Sequence, residues 1–531
     1  MTRTRFTAGA AIAVLLVVAL ASLDVRAQKP GILTVAWNTQ RTALDPAELS
    51  GFLTHPTAYE GALLVYDGLV RFNEQMIVVP ALATSWSVSA DGRTWTFNIR
   101  HSVSFQDGAP LTAQSVADAL QRQVNLATNP SNRLLWDPIA SVAAPDASTV
   151  RIVTKEPYGG LLQTLAHGSS LIERPAAIGT GGTPARPPVG TGPYAAERWE
   201  PAKQLDLVRS AHYWDGRPEF DRIALRGSAD PAIRLAMIGN GQAQVADGIP
   251  PERVAELGKV PGVRVTIKPG LRAFGMAINL NRPVLQDVRV RQALNYAVNK
   301  ELIVNALFGG HAAVLRSPLA SPASGYVDLG PWPYDPPRAR RLLEDAGWRP
   351  APPIGVRVKN GTALELTLFT PRGLFPRDVE VTETLADYLR NVGFGIHFLY
   401  VEPGAWWDRL LVTSEESQWD LAFLGFDPVN GDGGLHLDAL YRSNPDPKRR
   451  PAVRNVTWYS SPQVDAWLSQ GARAIDPRVR AGAYAKVERQ VWSDAPYLWL
   501  YAENVVVATR DVGGVEILPT GVTILRSAHP Q

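Results

Sequence analysis

Histidine, serine and aspartate are the residues to examine first, because most hydrolytic and metal-dependent chemistry depends on them. The eight histidines of this chain of 531 residues stand singly, and no two have the i, i+4 spacing of a zinc protease helix. His167-Gly168-Ser169 lacks the flanking glycines of the Gly-x-Ser-x-Gly turn that exposes a hydrolase nucleophile. We therefore predict no catalytic residues and a protein that is not an enzyme.

Two loops have the composition of ligand-binding loops without their full pattern. Gly190-Thr191-Gly192 begins like a dinucleotide fingerprint, but Pro193 follows at once and no strand leads into it, so we interpret it as a tight turn. The stretch from Asp427 to Gly434 has the Asp and Gly content of a calcium loop. It lacks the alternating acidic positions and the closing glutamate of such a loop. We therefore predict no metal site and no cofactor.

The composition excludes further classes of chemistry and of partner. The chain has no cysteine, which excludes disulfides, thiol catalysis, cysteine-ligated zinc and a lipid anchor on an N-terminal cysteine. After residue 27 the basic and acidic residues are nearly balanced, and no basic stripe is interleaved with aromatic residues. We therefore expect no nucleic-acid partner.

The N-terminus has the pattern of an export signal. Arg3 and Arg5 precede an apolar run from Ala8 to Leu23, and Val25-Arg26-Ala27 offers a cleavage site before Gln28. The apolar run is shorter than the roughly 20 residues that span a bilayer. Residues 1–27 are thus predicted to be a signal peptide, with an uncleaved anchor helix or cleavage after Ala19-Leu20-Ala21 as alternatives. We expect the mature protein in the periplasm.

A chain of this length calls for two or three domains, and its hydrophobic periodicity predicts a mixed α/β fold. Thr112 caps a helix in the first half. In the second half, Asp287 caps a helix that Gly309-Gly310 ends, Pro336 to Ala346 forms another, and Asp378 caps a third that Gly393 ends. Strands are predicted at 33–37, 94–100, 150–154, 194–199, 204–209, 263–267, 364–369, 396–401 and 505–508.

Strand–helix–strand order in the second half indicates a parallel α/β sheet and at least two lobes. The Gly- and Pro-rich run from Gly179 to Pro188 is the clearest candidate linker.

Several stretches, taken in order, resemble the extracellular solute-binding family 5, the peptide/nickel-type binding proteins of ABC importers. The resemblance covers essentially the whole mature chain. It is carried by 80–97 (PALATSWSVSADGRTWTF), 105–113 (FQDGAPLTA), 190–194 (GTGPY) with 213–214 (YW), 287–297 (DVRVRQALNYA) and 495–498 (APYL).

The resemblance implies a two-lobed periplasmic binding protein of type II-like fold, with a subdomain inserted in lobe 1 and a hinge between the lobes. Ligand would be enclosed between the lobes by a hinge motion. The implied division is 1–27 signal peptide, 28–53 lobe 1, 54–188 inserted subdomain, 189–268 lobe 1, 269–494 lobe 2 and 495–531 return to lobe 1.

The same resemblance points to ligand-binding residues. In peptide-binding relatives an arginine after a lobe-2 strand meets the peptide carboxylate, and Arg372 matches that place. Those relatives also carry an aspartate three residues after an aromatic residue, as the anchor of the peptide amine. The aromatic residue here is Phe426 and the anchor position holds Val429, so Asp427 or Asp432 would have to substitute for the missing aspartate.

Aromatic walls are a second feature of solute-binding clefts. Trp406 lies just after a predicted strand, where open α/β sheets place their ligands, and Trp37 closes the first strand. The candidate ligand-binding residues are therefore Arg372, Trp406, Phe426, Asp427, Asp432 and Trp37.

The predicted function is capture of an oligopeptide or similar small polar solute. The expected partners are an ABC permease and ATPase complex in the inner membrane, and the binding protein itself is expected to be a monomer. The alternatives are a secreted hydrolase, a binding protein for a metal chelate, opine or sugar, and a binding protein used as a sensor or chaperone.

Overall fold

A computed structural model describes residues 31–38, 44–49, 59–125, 133–175, 187–352, 355–444, 448 and 455–531. The predicted signal peptide and all but the last two residues of the predicted linker lie outside these ranges. Within them, no helix combines the length and the apolar character that crossing a bilayer requires.

Eleven strands form the largest sheet of the described chain, and two long strands lie at its centre. Val263–Ile278 and Tyr497–Arg510 pair antiparallel, and we call them the hinge strands because each runs from one lobe into the other. Across the sheet the order is Gly395–Val401, Glu365–Pro371, Leu421–Phe426, Val263–Ile278, Tyr497–Arg510, Val245–Ala246, Ile32–Trp37, Arg222–Gly227, Gln204–Arg209 and Tyr194–Glu200. Ala312–Val314 pairs with the second hinge strand outside this path.

Lobe 1 contains the half of the sheet that runs from Val245–Ala246 to Tyr194–Glu200, and Ile32–Trp37 lies within it. This strand pairs parallel with Arg222–Gly227 on one side and with Val245–Ala246 on the other. Leu33, Val35 and Trp37 are buried in its core, as their alternating positions in the sequence predict. The helix Pro231–Gly239 covers the sheet and begins at the cap residue Asp230, whose carboxylate accepts a hydrogen bond from the Ala232 amide.

The inserted subdomain has its own four-stranded antiparallel sheet and its own hydrophobic core. The strand order is Ala83–Val88, Thr94–Ile99, Thr149–Thr154 and Ile139–Ala143, and Val70–Phe72 pairs separately with Val78–Pro80. The helix Ala113–Val124 begins with a capping box between Thr112 and Ser115. Shorter helices are Ala62–Val65, Arg133–Trp136 and Leu161–Leu165.

Lobe 2 packs helices on the other half of the sheet, where Glu365–Pro371 pairs parallel with both of its neighbours. This arrangement confirms the parallel α/β sheet that the sequence predicts for the second half. The helices are Val288–Ala297, Lys300–Phe308, Pro336–Asp345, Asp378–Arg390, Trp406–Leu410, Gly433–Tyr441, Pro462–Arg473 and Pro477–Asp494.

The remaining elements are short. The helix Val254–Leu257 follows the 3-10 turn Pro251–Arg253, and further 3-10 turns lie at Pro46–Glu48, Gly168–Ser170, Pro283–Leu285 and Pro403–Ala405. Strands of two or three residues are Arg349–Pro350, Arg357–Lys359, Thr362–Ala363, Val512–Gly513, Glu516–Ile517, Thr523–Ile524 and His529–Pro530.

Three local predictions need correction. The helix that begins after Asp287 does not reach Gly309, because Val298 is extended and Asn299 caps a second helix by accepting a hydrogen bond from Leu302. Asp378 is not a helix cap but the first helical residue, and Arg377 precedes it. The strands predicted at 263–267 and 505–508 are only parts of the long hinge strands.

Candidate functional site

A cavity of about 340 Å³ lies between the two lobes, over the hinge strands. Its lobe 1 wall includes Asn38, residues 248–252 and residues 519–521, and its lobe 2 wall includes residues 373–377 and Asp427. Residues 270–272 and 503–506 of the hinge strands complete the lining. We call this space the interlobe cavity. Clefts between lobes of this volume are typical sites for small ligands.

A bulge in the first hinge strand directs charge into the interlobe cavity. Pro269 pairs with Asn504 and Ala273 pairs with Ala502, so three residues on one strand face the single residue Glu503 on the other. A Cβ on Gly270 would lie 2.3 Å from the carbonyl oxygen of Glu503, which only glycine avoids. Because a bulge redirects the side chains beside it, Arg272 lines the cavity.

Arg272 faces two carboxylates in the interlobe cavity. Its guanidinium lies 3.7 Å from the carboxylate of Asp427, and the two side chains are 20% and 13% exposed. Burial raises the pKa of Asp427, and the charge of Arg272 opposes that rise. Burial also raises the pKa of Glu503, which Arg272 again opposes while Asp427 and Glu252 add to it. The positive charge of Arg272 therefore stabilises the ionised forms of two partly desolvated carboxylates, those of Asp427 and Glu503.

The lobe 2 wall is a loop held in place by a buried carboxylate. The carboxylate of Asp378 accepts hydrogen bonds from the backbone amides of Gly373 at 2.9 Å, Leu374 at 2.9 Å and Phe375 at 3.1 Å. Arg377 ends the loop in the left-handed conformation, with φ of 53°. Its guanidinium lies 3.3 Å from the carboxylate of Glu252, so this ion pair joins lobe 2 to lobe 1 across the interlobe cavity.

The lobe 1 wall is ordered by Arg234 and Asp247. Arg234 donates to the carbonyl oxygens of Ser228 at 2.7 Å, Asp247 at 3.1 Å and Gly248 at 2.7 Å. The carboxylate of Asp247 accepts from the backbone amide of Asn38 at 2.8 Å, and burial raises the pKa of Asp247 to about 6. Asn38 and Asp247 follow two adjacent parallel strands, and such carboxyl edges are where open α/β sheets bind ligands.

Of the six residues singled out in the sequence, only Asp427 lines the interlobe cavity. Arg372 lies just before the lining loop, is exposed, and stacks its guanidinium 4.2 Å from the ring centroid of Tyr400. Trp406 is fully buried in the lobe 2 core, where its ring stacks 4.4 Å from that of Phe369. A ligand contact for Arg372 and Trp406 stays a prediction.

The other three also lie outside the lining. Trp37 is buried in the lobe 1 core beside Trp199, with ring centroids 6.2 Å apart, and Phe426 is buried in the lobe 2 core. Asp432 caps the helix Gly433–Tyr441 and forms a buried ion pair with Arg480. Their ligand roles stay predictions as well, although the packing accounts for all three residues without a solute.

Val429, which stands where the family resemblance implies an amine-anchoring aspartate, is only 3% exposed and packs into the core of the inserted subdomain. An aspartate at that place in this chain would face apolar side chains instead of the interlobe cavity. Having valine instead of aspartate at position 429 therefore does not change the charge of the residues that line the interlobe cavity.

Sequence reasoning missed Arg272, Glu503 and Asn38. The signal for Arg272 was present: Pro269-Gly270 interrupts the alternation of a strand, and a glycine inside a strand often marks a bulge. Asn38 directly follows the predicted strand 33–37, and that position was a usable signal. Nothing in the local sequence of Glu503 distinguishes it from other strand residues, because its position depends on how distant strands pair.

The family model for bacterial extracellular solute-binding proteins, family 5 (middle part), matches residues 78–448 of this chain. The chain belongs to this family. The resemblance seen in the sequence is thereby confirmed, and with it the predicted role as the solute-binding component of an ABC importer. Family 5 is a family of solute-binding proteins, so membership gives no support to a catalytic role.

Curated relatives match along nearly the full length. The glutathione-binding protein GsiB of Shigella dysenteriae is 30% identical over 501 residues, covering 92% of this chain and 92% of the relative. GsiB of Pectobacterium atrosepticum is 30% identical over 518 residues, covering 94% of each chain.

Solved structures of family 5 type share the fold. NikA from Brucella suis, in complex with Fe(III)-EDTA, has a TM-score of 0.82 at 23% identity and covers 94% of this chain and 100% of its own. DppA from Helicobacter pylori, a periplasmic binding protein in complex with the peptide STSA, has a TM-score of 0.76 at 24% identity and covers 94% and 98%. The predicted two-lobed α/β fold is thereby confirmed.

Proposed function

We propose that this family 5 protein captures a small peptide of about three residues, or a polar solute of similar size, in the interlobe cavity. The observation that carries the proposal is that both lobes and both hinge strands contribute to one charged cavity of about 340 Å³. A solute in that position contacts both lobes at once, which stabilises their closed arrangement. The volume lies at the small end for ligand sites, and the similarity to glutathione-binding proteins supports a tripeptide-sized solute.

Arg272 is the residue that we propose to bind the carboxylate of the solute. It lines the interlobe cavity, and its ion pair with Asp427 is long at 3.7 Å. A guanidinium presents several donors in a fork that matches a carboxylate, so a solute can bind it without displacing Asp427. Arg372 remains the alternative anchor, and it would have to leave the ring of Tyr400 to reach a solute.

We propose further that residues 1–27 direct export to the periplasm and are then removed. There the loaded, closed monomer would dock on a permease of the inner membrane, whose ATPase drives uptake. The export pattern of the N-terminus and the membership of family 5 support this sequence of events.

The secreted-hydrolase alternative gains no support from the histidine and serine that come closest to a catalytic pair. His167 Nδ1 lies 2.9 Å from the hydroxyl of Ser169, but both residues are buried in the inserted subdomain, away from the interlobe cavity. Burial lowers the pKa of His167 to about 4. Neither residue lines the interlobe cavity, so a solute bound there does not contact this pair.

Filling the interlobe cavity tests the proposal. Val505 lies on the second hinge strand and lines the cavity, so Val505→Trp should occupy much of the space that a solute needs. We expect binding of glutathione and of a panel of di- and tripeptides, measured by titration calorimetry, to weaken at least about tenfold.

The matched control is Val208→Trp, because Val208 is exposed on the strand Gln204–Arg209 of lobe 1. It should bind as the unchanged protein does. Small-angle X-ray scattering should show contraction on adding a bound solute in the control and none in Val505→Trp. Unaltered binding by Val505→Trp would place the solute outside this cavity.

A further inference from the structure

We propose that contacts between the inserted subdomain and lobe 2 keep part of the solute-free protein closed. We call these contacts the subdomain latch. It consists of Val429 and Leu435 of lobe 2, which pack into the subdomain, and of the subdomain loop 157–160, which packs against lobe 2. None of these residues lines the interlobe cavity, so the latch acts without touching the solute.

Two apolar side chains of lobe 2 belong to the hydrophobic core of the inserted subdomain. Val429 is 3% exposed and Leu435 is 8% exposed, and both lie in one cluster with Phe97 and Leu165 of the subdomain. If lobe 2 moved away from the subdomain, these two side chains would return to water. Because exposing one such side chain shifts an equilibrium by roughly tenfold or more, this packing favours the closed arrangement.

The subdomain loop 157–160 meets lobe 2 at backbone distance. The Gly159 amide donates to the carbonyl oxygen of Ala472 at 2.9 Å. A Cβ on Gly159 would overlap the carbonyl oxygen of Ala474 and would lie 2.8 Å from the guanidinium of Arg480. The three atoms nearest to such a Cβ all belong to lobe 2. Glycine therefore permits the approach of the two lobes at this point.

Neighbouring side chains extend the contact around the loop 157–160. Ile475 of lobe 2 packs against the subdomain core. Burial raises the pKa of Tyr158 to about 12, and the charge of Asp432 adds to that rise, because Tyr158 lies near the buried ion pair between Asp432 and Arg480. Side chains of both regions thus shield the backbone hydrogen bond of this loop from water.

The inserted subdomain is bonded to lobe 1, so its contacts with lobe 2 are contacts between the lobes. Arg122 of the subdomain donates to both carboxylate oxygens of Asp45 in lobe 1, each at 2.6 Å. The side chain of Gln106 donates to the carbonyl oxygen of Tyr194 in lobe 1 at 2.7 Å. Opening the lobes therefore separates lobe 2 from the subdomain as well.

The latch gives the valine at position 429 a role in capture. The family resemblance implies a solute-binding aspartate at this position, but Val429 contacts the inserted subdomain. Closure is then favoured by the protein itself as well as by the solute. The apparent affinity for a solute rises with the fraction of the protein that is already closed. Val429 is thus a positioning residue, which acts on binding through closure.

Gly159→Ala tests the latch, because the added methyl group overlaps lobe 2 only when the lobes are closed. We expect small-angle X-ray scattering to show about half of the solute-free unchanged protein closed, and less than about a tenth of Gly159→Ala. The apparent affinity for glutathione, measured by titration calorimetry, should fall at least about fivefold. The matched control Gly404→Ala adds a methyl group that meets nothing within 4 Å, and it should change neither result.

A pair of substitutions at position 429 tests the apolar part of the latch. Val429→Asp places a charge in the subdomain core and should open the solute-free protein as Gly159→Ala does. Val429→Ile keeps the apolar contact and should scatter as the unchanged protein does. Thermal unfolding separates opening from misfolding: Gly159→Ala should melt within about 2 °C of the unchanged protein, because its open form has no clash.

The latch is overturned if the solute-free unchanged protein is as extended as Gly159→Ala, or if Gly404→Ala opens the protein as far. If Gly159→Ala fails to fold, the pair at position 429 decides, and equal scattering of Val429→Asp and Val429→Ile overturns the latch. The scattering comparison contains no solute. Its outcome is therefore separate from that of Val505→Trp, which tests capture in the interlobe cavity.

Discussion

Two arginines, Arg272 and Arg372, are candidates for binding the carboxylate of the solute. Arg372 has the sequence position at which the family resemblance implies a carboxylate anchor, but it is exposed and its guanidinium lies over the ring of Tyr400. Arg272 lines the interlobe cavity and faces Asp427. The two side chains have the same chemistry, so their environments alone decide between them.

Replacing each arginine by glutamine separates the two roles. We expect Arg272→Gln to weaken binding of a carboxylate-bearing solute by about 30-fold or more, since it removes a charge-assisted, partly buried contact. Arg372→Gln should change affinity less than about threefold, because the loss is confined to an exposed stacking contact. Titration calorimetry with glutathione measures both, and the reverse ranking would restore Arg372 as the anchor.

At the scale of the element, the bulge in the first hinge strand depends on one glycine. A Cβ at position 270 would lie 2.3 Å from the backbone carbonyl oxygen of Glu503, and backbone atoms cannot move aside as a flexible side chain can. Gly482 offers a matched comparison, because it lies within the helix Pro477–Asp494 and a Cβ there would meet nothing within 4 Å.

The same substitution should therefore have opposite effects at the two glycines. Gly270→Ala should lower the free energy of unfolding by about 1–3 kcal/mol through the clash, and it should weaken solute binding by displacing Arg272 and Glu503. Gly482→Ala should raise the free energy of unfolding by up to about 1 kcal/mol, because alanine is the better helix former. Denaturant unfolding measures both, and a neutral Gly270→Ala would mean that the bulge relaxes freely.

The bulge also shows how far the sequence determines the elements. Alternation of apolar residues predicted the strand that begins at Val263, but Pro269-Gly270 hid its continuation to Ile278, because the pattern shifts register there. Helix signals were read well at Thr112 and at Pro336. The long helix after Asp287 was wrong, because Asn299 competes as a cap within one apolar stripe.

The site was harder to predict than the elements, because its residues meet through pairing of distant strands. Asp427 was found through the family resemblance, which implies an amine-anchoring acid in this loop and leaves Asp427 as a possible substitute for it. Trp37 and Trp406 were chosen as aromatic residues at the ends of predicted strands, and the structure buries both in cores.

At the scale of the whole molecule, three regions meet around the loop that follows the strand Leu421–Phe426. Asp427 faces the interlobe cavity, whereas Val429 and Leu435 pack into the core of the inserted subdomain. The backbone amide of Gly159 in that subdomain donates to the carbonyl oxygen of Ala472 in lobe 2 at 2.9 Å. The inserted subdomain is therefore part of the surface that closes against lobe 2, and closure depends on contacts away from the solute as well as on the solute.

The ion pair between Glu252 and Arg377 allows the contribution of one interlobe contact to closure to be measured, with a double charge reversal to separate it from changed charges in the cavity lining. Arg377 lies 3.3 Å from Glu252 of lobe 1 and 3.3 Å from Glu380 of its own lobe. Both members of the interlobe pair are about one-third exposed, so the pair is worth at most about 1 kcal/mol. Glu252→Arg places two positive charges across the cleft, and we expect it to weaken solute binding roughly five- to tenfold and to expand the molecule in small-angle X-ray scattering.

Glu380→Arg is the matched control, because it presents the same charge change to the same arginine within one lobe. It should leave both affinity and scattering unchanged. The double variant Glu252→Arg with Arg377→Glu restores opposite charges across the cleft, and it should recover most of the lost affinity. If Glu380→Arg weakened binding as much as Glu252→Arg, the effect would come from the local geometry of Arg377. The ion pair between the lobes would then have no part in closure. A contact that forms only on closing should make Glu252→Arg weaken binding more than Glu380→Arg does.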